Sequence, residues 1–376
     1  MNIAELIQMS RRYGQNPDYV LVGGGNTSVK DENTLYVKCS GVCLGDMTEQ
    51  GLVAMDRQKL SALLNKEYPR EDQAREAAFL ADVMAARAEG DLTKRPSVEA
   101  LLHNLFPQKY VLHLHPALVN GLTCSTGARD AAAELLGEEA LWIPSCRPGY
   151  TLGKLCREAM AEQRTRTGRE IYTVLLQNHG VFLAGETVEE IDARFAALWE
   201  RLKKVVRREP DLSCYEAHTS QELSGELAVA ADLARETAKW LEVETGQTVN
   251  FIDAKEAFHF TKSEATVGPL LRPFTPDHIV YSGAYPLYLK QPRRIREALQ
   301  VFEEKKGGIP RILLVEGMGA FAMGEGTVAC AQAELLFRDA MKVAVYTESF
   351  GGPLPMTEDL TAFILHWEAE SYRKSR

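Results

Sequence analysis

The chain has 376 residues, 45% of them hydrophobic and 25% charged, with a formal net charge of −9 at pH 7. That length exceeds one hydrophobic core and predicts two lobes of roughly 150 to 220 residues, while the negative charge argues against a nucleic-acid surface, which wants a basic face. No apolar run reaches the roughly 20 residues that span a bilayer, so no membrane segment is expected.

At the N-terminus, MNIAELIQMSRRYG sets Ile3, Leu6 and Ile7 at helical spacing and lacks the apolar core and cleavage site of a secretory signal. Seven cysteines, an odd number with no Cys-x-x-Cys pair, suggest neither a disulfide framework nor a thiolate zinc cluster, and a reducing cytoplasm fits best. VGGGNTSVK (22–30) and KCSG (38–41) are short glycine or serine turns beside apolar strands. Such turns aim backbone N–H groups and hydroxyls at one anion, so with Ser97 they could hold a phosphate; an ordinary hairpin turn is the bland alternative for each. In KRPSVEALLHNLF, Pro96 and Ser97 read as a helix start with Glu99 in its first turn, where a carboxylate answers the helix dipole.

VLHLHP (111–116) reads as a strand, and residues two apart on a strand share a face with their Cα atoms roughly 6.5 Å apart. His113 and His115 can therefore grip one ion, with Leu112 and Leu114 turned into the core. The best candidate for a third ligand is QNHG (177–180), where His179 sits in a tight turn between two apolar strands and Gly180 is free to take a positive φ. Three neutral imidazoles suit zinc and leave a position open for substrate. Beside such an ion, Glu99 reads either as a fourth ligand that moves aside or as a catalytic base. His103, His218, His259, His278 and His366 lack this context and read as structural or exposed.

After Gly185, Thr187 and Glu190 have capping-box spacing, and Val188, Ile191, Phe195, Leu198 and Leu202 form one apolar stripe. Beyond Arg208 comes EPDLSCYEAHTSQELSG, polar and aperiodic, and then the helical pattern ELAVAADLARETAKWLEVE, so the lobe boundary is placed near residue 220. RRIREALQVFEEKK (293–306) reads as a solvated helix face. With an offset of 139 residues, LLQNHGVFLAGE (175–186) aligns with LVEGMGAFAMGE (314–325), His179 falling opposite Met318. The echo reads either as a duplicated copy that has lost its ligand or as two instances of a common strand–turn–strand pattern. GMGAFA (317–322) also fits the dinucleotide pattern G-x-G-x-x-G/A, but no convincing helix opens after it.

GGGNTS, KCSG, PSVE, HLHP and NHG, in that order, make residues 1 to 215 resemble the class II aldolase/adducin family. With TPDHIVY (275–281) and the second lobe, the whole chain resembles the aldolase portion of bifunctional rhamnulose-1-phosphate aldolase/short-chain dehydrogenase proteins, without the dehydrogenase. The resemblance implies a layered α/β/α fold assembled as a homotetramer, with residues 1–220 catalytic and 221–376 a second α/β lobe without metal ligands. It implies zinc on His113, His115 and His179, with Glu99 as ligand or acid/base. It further implies phosphate contacts from Asn26, Thr27 or Ser28, from Ser40 and Gly41, and from Ser97. The expected activity is cleavage of a ketose 1-phosphate, rhamnulose- or fuculose-like, into dihydroxyacetone phosphate and an aldehyde. Relatives with the same histidines act as epimerases, decarboxylases or dehydratases, and adducin-like members serve as interaction modules. Val98 stands where sugar-phosphate aldolases of this family often carry a second serine, which removes one hydroxyl.

Overall fold

A computed structural model describes residues 1–214 and 226–367. The chain forms two compact units: Met1–Thr123 with Gly127–Val206 and the chain from Ala362, and Cys124–Thr126 with Arg207–Thr361. The expected boundary near residue 220, and His218, lie outside the described residues. All seven cysteines are free thiols. No described helix is long and apolar enough to cross a membrane.

The first unit is built on a seven-stranded sheet. Its strands are β1 (Asn26–Lys30), β2 (Thr34–Lys38), β3 (Leu52–Asp56), β4 (Tyr110–Leu114), β5 (Ala140–Ile143), β6 (Thr173–Leu176) and β7 (Gly180–Gly185). They run in the order β3-β2-β1-β4-β7-β6-β5. Only β5 and β6 pair in parallel; the remaining pairs are antiparallel. The three central strands β1, β4 and β7 are buried at every position, as strands covered on both faces must be.

Alternation of side chains sorts the residues of these strands onto two faces. One carries Leu35, Val37, Val53, Val111, Val174 and Phe182 and packs on the helices Arg57–Leu63, Asp72–Ala85, Ala100–Leu105 and Tyr150–Thr167. The other, with Thr27, Leu112 and Leu114, faces the helices Ile3–Gly14 and Val188–Lys203. In the latter helix all five stripe residues, Val188, Ile191, Phe195, Leu198 and Leu202, are buried, each contributing about 2 kcal/mol of apolar burial. Thr187 caps it by accepting from the Glu190 N–H, while Glu190 turns back to the Glu186 N–H rather than to Thr187, so the capping box is only half closed.

The second unit carries a four-stranded sheet of β8 (Thr248–Ile252), β9 (Leu287–Leu289), β10 (Ile312–Val315) and β11 (Gly319–Gly324), in the order β8-β11-β10-β9. This repeats β4-β7-β6-β5 in order and direction. Leu176↔Gly180 and Val174↔Phe182 in one hairpin match Val315↔Gly319 and Leu313↔Phe321 in the other, residue for residue at the offset read from the sequence. The turns have a residue at positive φ at equivalent places, Asn178 (58°) and Gly317 (70°), and the second hairpin adds Gly319 (115°), where Gly180 has none. The Asn178 N–H bonds the carbonyl of Thr123 (3.1 Å) and the Gly317 N–H that of Thr261 (2.9 Å). Phe251 therefore stands where His113 does, opposite Phe321 as His113 is opposite Phe182. A helix, Gly326–Thr347, does open directly after GMGAFA, against the expectation from sequence; GMGAFA itself is the turn and second strand of an antiparallel hairpin, which accounts for its glycines without a nucleotide. The segment 293–306 is the solvated helix expected, Ile295–Lys306 with only Ile295 and Leu299 buried, after a short 3₁₀ turn.

Replacing Thr187 by alanine removes the one cap acceptor of a helix whose packing is otherwise intact. Thr187→Ala should cost about 1 kcal/mol in denaturant unfolding with no change in spectroscopic helix content at zero denaturant.

Candidate metal centre

The site begins with a cross-strand pair: Asn26 on β1 lies directly opposite His113 on β4, so both project from the same face. His115 follows one residue beyond the end of β4, and His179 closes the β6–β7 turn. The nitrogens of His113, His115 and His179 lie within 4.8 Å of one another. The His113 and His115 Nε2 atoms approach to 2.8 Å, and each ring centroid is 5.0 Å from that of His179.

Rigid supports hold these rings. His113 is stacked on Phe182 at 4.0 Å, and its Nδ1–H donates to the Val181 carbonyl (3.0 Å), which leaves the Nε2 lone pair facing the site. Full burial holds the His113 imidazole well below its ordinary pKa, in the neutral form a metal needs. Gly180 does not use the positive φ open to it; that conformation falls on Asn178. What Gly180 supplies is space. A Cβ there would overlap the Leu114 carbonyl oxygen and come within 2.8 Å of the His115 ring.

Glu99 caps the N-terminus of the helix Ala100–Leu105 rather than sitting in its first turn, and its side chain makes no capping bond. Instead the carboxylate reaches the imidazoles, Oε2 at 3.3 Å from His113 Nε2 and Oε1 at 3.4 Å from His179 Nε2. Burial opposes its ionisation, but any proton held on His113, His179 or His115, with the Asn26 amide, outweighs it and holds the carboxyl below its ordinary range. Oε2 accepts from Asn26 Nδ2 (2.7 Å), whereas Oε1 is buried with no hydrogen-bond partner among the described residues. An orphaned carboxylate oxygen beside three convergent imidazoles is the pattern an ion resolves, so the residues present fit a divalent metal.

Of the other expected contacts, Ser97 joins the site, accepting from Asn26 Nδ2 at 3.1 Å. The Ser97 N–H bonds the Lys38 carbonyl (3.0 Å), which lays the KCSG turn with Ser40 and Gly41 alongside. The hydroxyls of Thr27 and Ser28, expected with Asn26 as alternative phosphate contacts, bond within the protein. Strand alternation turns Thr27 to the opposite face, where its hydroxyl meets Ser10 at 2.7 Å, and the Ser28 hydroxyl is buried against His103 Nδ1, also at 2.7 Å. Gly25 answers both needs: its φ is +60°, and a Cβ there would lie 2.7 Å from the His113 carbonyl oxygen.

His103 is the residue that sequence reasoning passed over. It is fully buried, bonded through Nδ1 to Ser28 and through Nε2 to the Asn26 Oδ1. The signal was there: Glu-x-x-x-His on a predicted helix places both residues on one face. Of the remaining histidines, His278 is buried against Asp339 in the second unit (3.0 Å), and His259 and His366 are exposed.

Two measurements probe this geometry. Gly180→Ala should displace His115 and weaken metal binding at least about tenfold in chelator competition, without unfolding the chain; wild-type affinity would contradict the close fit. Burial, with Lys30 and Lys38 as neighbouring cations, pushes the His103 imidazole down to about 3. The unfolded chain takes up that proton near pH 6.5 and the folded chain does not, so stability is lost as pH falls from about 6.5 toward 3. The loss in denaturant midpoint between pH 7 and pH 5 should be smaller in His103→Gln than in the wild type.

Residues 4–205 match the family described as Class II Aldolase and Adducin N-terminal domain. Along its whole length the chain is similar to the "Uncharacterized oxidoreductase YuxG" of Bacillus subtilis (strain 168), 22% identical over 418 aligned positions that cover 99% of this chain and 58% of that protein. The chain thus spans little more than half the length of that relative. Among solved structures, an N-terminal class II aldolase domain from Thermoplasma acidophilum is 27% identical, covering 55% of this chain and 94% of that one with a TM-score of 0.46. An L-fuculose 1-phosphate aldolase is 17% identical, covering 54% and 82% respectively with a TM-score of 0.36. Because the matched segment takes in more than half of the 376 residues and contains every residue of the site built above, the chain belongs to the class II aldolase and adducin family.

Proposed function

We propose that this protein is a zinc-dependent aldolase that reversibly cleaves a ketose 1-phosphate into dihydroxyacetone phosphate and an aldehyde. The observation that carries the reading is Glu99 Oε1, buried and without a hydrogen-bond partner among the described residues, 3.4 Å from His179 Nε2 and beside two further imidazoles. A carboxylate so placed can exchange a proton with a carbon next to a carbonyl. A purely structural glutamate at a helix cap would spend its oxygens on the helix N–H groups instead.

His113, His115 and His179 would hold the ion, which when bound supplies Lewis-acid stabilisation of negative charge on oxygen, worth several kcal/mol. In the cleavage direction the Glu99 carboxylate takes the C4 hydroxyl proton as the C3–C4 bond breaks and the aldehyde forms. The electron pair of that bond stays on the three-carbon fragment, and Glu99 delivers the proton it took to C3. In the condensation direction Glu99 removes the same proton. Asn26 keeps the carboxylate aimed during the exchange, and the stack of His113 on Phe182 keeps water from the inner face of the site. For the phosphate we assign Ser40, Gly41 and Ser97, since Thr27 and Ser28 spend their hydroxyls within the protein. The reading also carries residues 1–220 as the catalytic region, 221–376 as a second lobe without ligands, and assembly as a homotetramer.

Dihydroxyacetone phosphate release from rhamnulose and fuculose 1-phosphates should require zinc and stop on chelation. His113→Ala should reduce turnover at least about a thousandfold while leaving the circular dichroism spectrum unchanged. Turnover surviving in metal-free His113→Ala protein would refute the mechanism. No release from protein that holds stoichiometric zinc would shift the reading to epimerase, decarboxylase or dehydratase chemistry.

A further inference from the structure

The hydrogen bonds behind Glu99 admit only one direction. An ionised carboxylate accepts and cannot donate, so the group that Asn26 presents to Glu99 Oε2 at 2.7 Å must be its NH₂. The same NH₂ reaches Ser97 Oγ at 3.1 Å. The Asn26 carbonyl oxygen is thereby turned the other way, onto His103 Nε2. A carbonyl also only accepts, so Nε2 carries the ring proton of His103. A neutral imidazole has one such proton, which makes Nδ1 an acceptor and the Ser28 hydroxyl, 2.7 Å away, the donor to it. The order is Ser28 to His103 to Asn26 to Glu99, and each member has one role.

Nothing about this chain of bonds is loosely held. His103, Ser28 and Asn26 are buried, His103 at 0% and Ser28 at 0% exposure. The His103 N–H bonds the Glu99 carbonyl at 3.1 Å, so the two residues sit one helical turn apart and move together. The His103 ring lies edge-on to Phe182 at 5.4 Å, the same phenyl ring that supports His113. Were the His103 proton on Nδ1, the Asn26 amide would have to turn over, and its carbonyl oxygen would face the carboxylate.

We propose that His103 is a positioning residue: donating from Nε2, it locks the Asn26 amide so that Glu99 Oε2 is occupied and Oε1 alone is presented to the ion and the substrate. This deepens the proposed function, on whose metal and proton roles for Glu99 it rests. It also gives Ser28 a function, that of setting the ring tautomer, in place of a phosphate contact.

Two readouts test it, and neither involves turnover, so an absent aldolase activity and a wrong assignment of His103 are told apart. In wild-type protein with nitrogen-labelled histidine, long-range proton–nitrogen correlation should show the His103 proton on Nε2; a proton on Nδ1 overturns the proposal. In zinc competition against a chelator, His103→Phe should lower affinity about tenfold or more, and His103→Gln, which keeps a donor near the Nε2 position, should stay within about threefold of wild type. His103→Phe added to Asn26→Ala should cost nothing beyond Asn26→Ala alone. Wild-type affinity in His103→Phe, or a double variant whose loss is the product of the two single losses, overturns the proposal. If His103→Phe fails to fold, His103→Asn takes its place, since it fills the position without a donor that reaches Asn26; affinity equal to that of His103→Gln is then the refuting result.

Discussion

Polar groups taken out of water must find partners inside, and this constraint shapes the first unit more than any other. Around one face of the central strands gather four histidines, a glutamate, an asparagine and two serines, beside phenylalanines and leucines. Pairing β1 with β4 in the register Asn26↔His113 meets most of the demand, because it sets an amide beside the carboxylate that the imidazoles surround. The helix Ala100–Leu105 supplies Glu99 and His103 from above the same strands. Within this cluster, among the described residues, Glu99 Oε1 stays unmet, at the point where the imidazoles converge.

The convergence of His113, His115 and His179 was legible because its signals are local. His-x-His on a strand and His beside Gly in a turn fix direction by backbone geometry alone, and each ring is found where that geometry sends it. Elements with strong periodicity were equally plain, such as the helix after Gly185 with its five buried stripe residues. Less visible was the parity of β1. Asn26, Thr27 and Ser28 look alike as a polar run, yet alternation gives Thr27 to one face and its neighbours to the other. Nor does a sequence say which polar side chain satisfies which. His103 looked idle because its partners, Ser28 and Asn26, come from a strand some 75 residues earlier. Gly180 was read for backbone freedom when the reason for it is the close pass of β4.

The second unit shows the same hairpin built without the chemistry. Strand order, direction, register and the bond from the turn to a preceding threonine are all kept, while Phe251 and Met318 occupy the places of His113 and His179. Phe251 packs against Phe258 and Phe321, at 5.9 and 5.5 Å, so apolar rings fill the space that imidazoles line in the first unit. Trading a polar cluster for aromatic packing removes the need for buried hydrogen-bond partners altogether, and the turn closes as well with Gly317 as with Asn178.

That pair of hairpins bears on how the three imidazoles of the first unit are brought together. A turn that reaches the same register with no imidazole in it draws its closure from strand pairing, so the rings owe their convergence to the sheet and not to anything they bind. A cation entering such a site would meet a finished socket, with no folding step coupled to its capture.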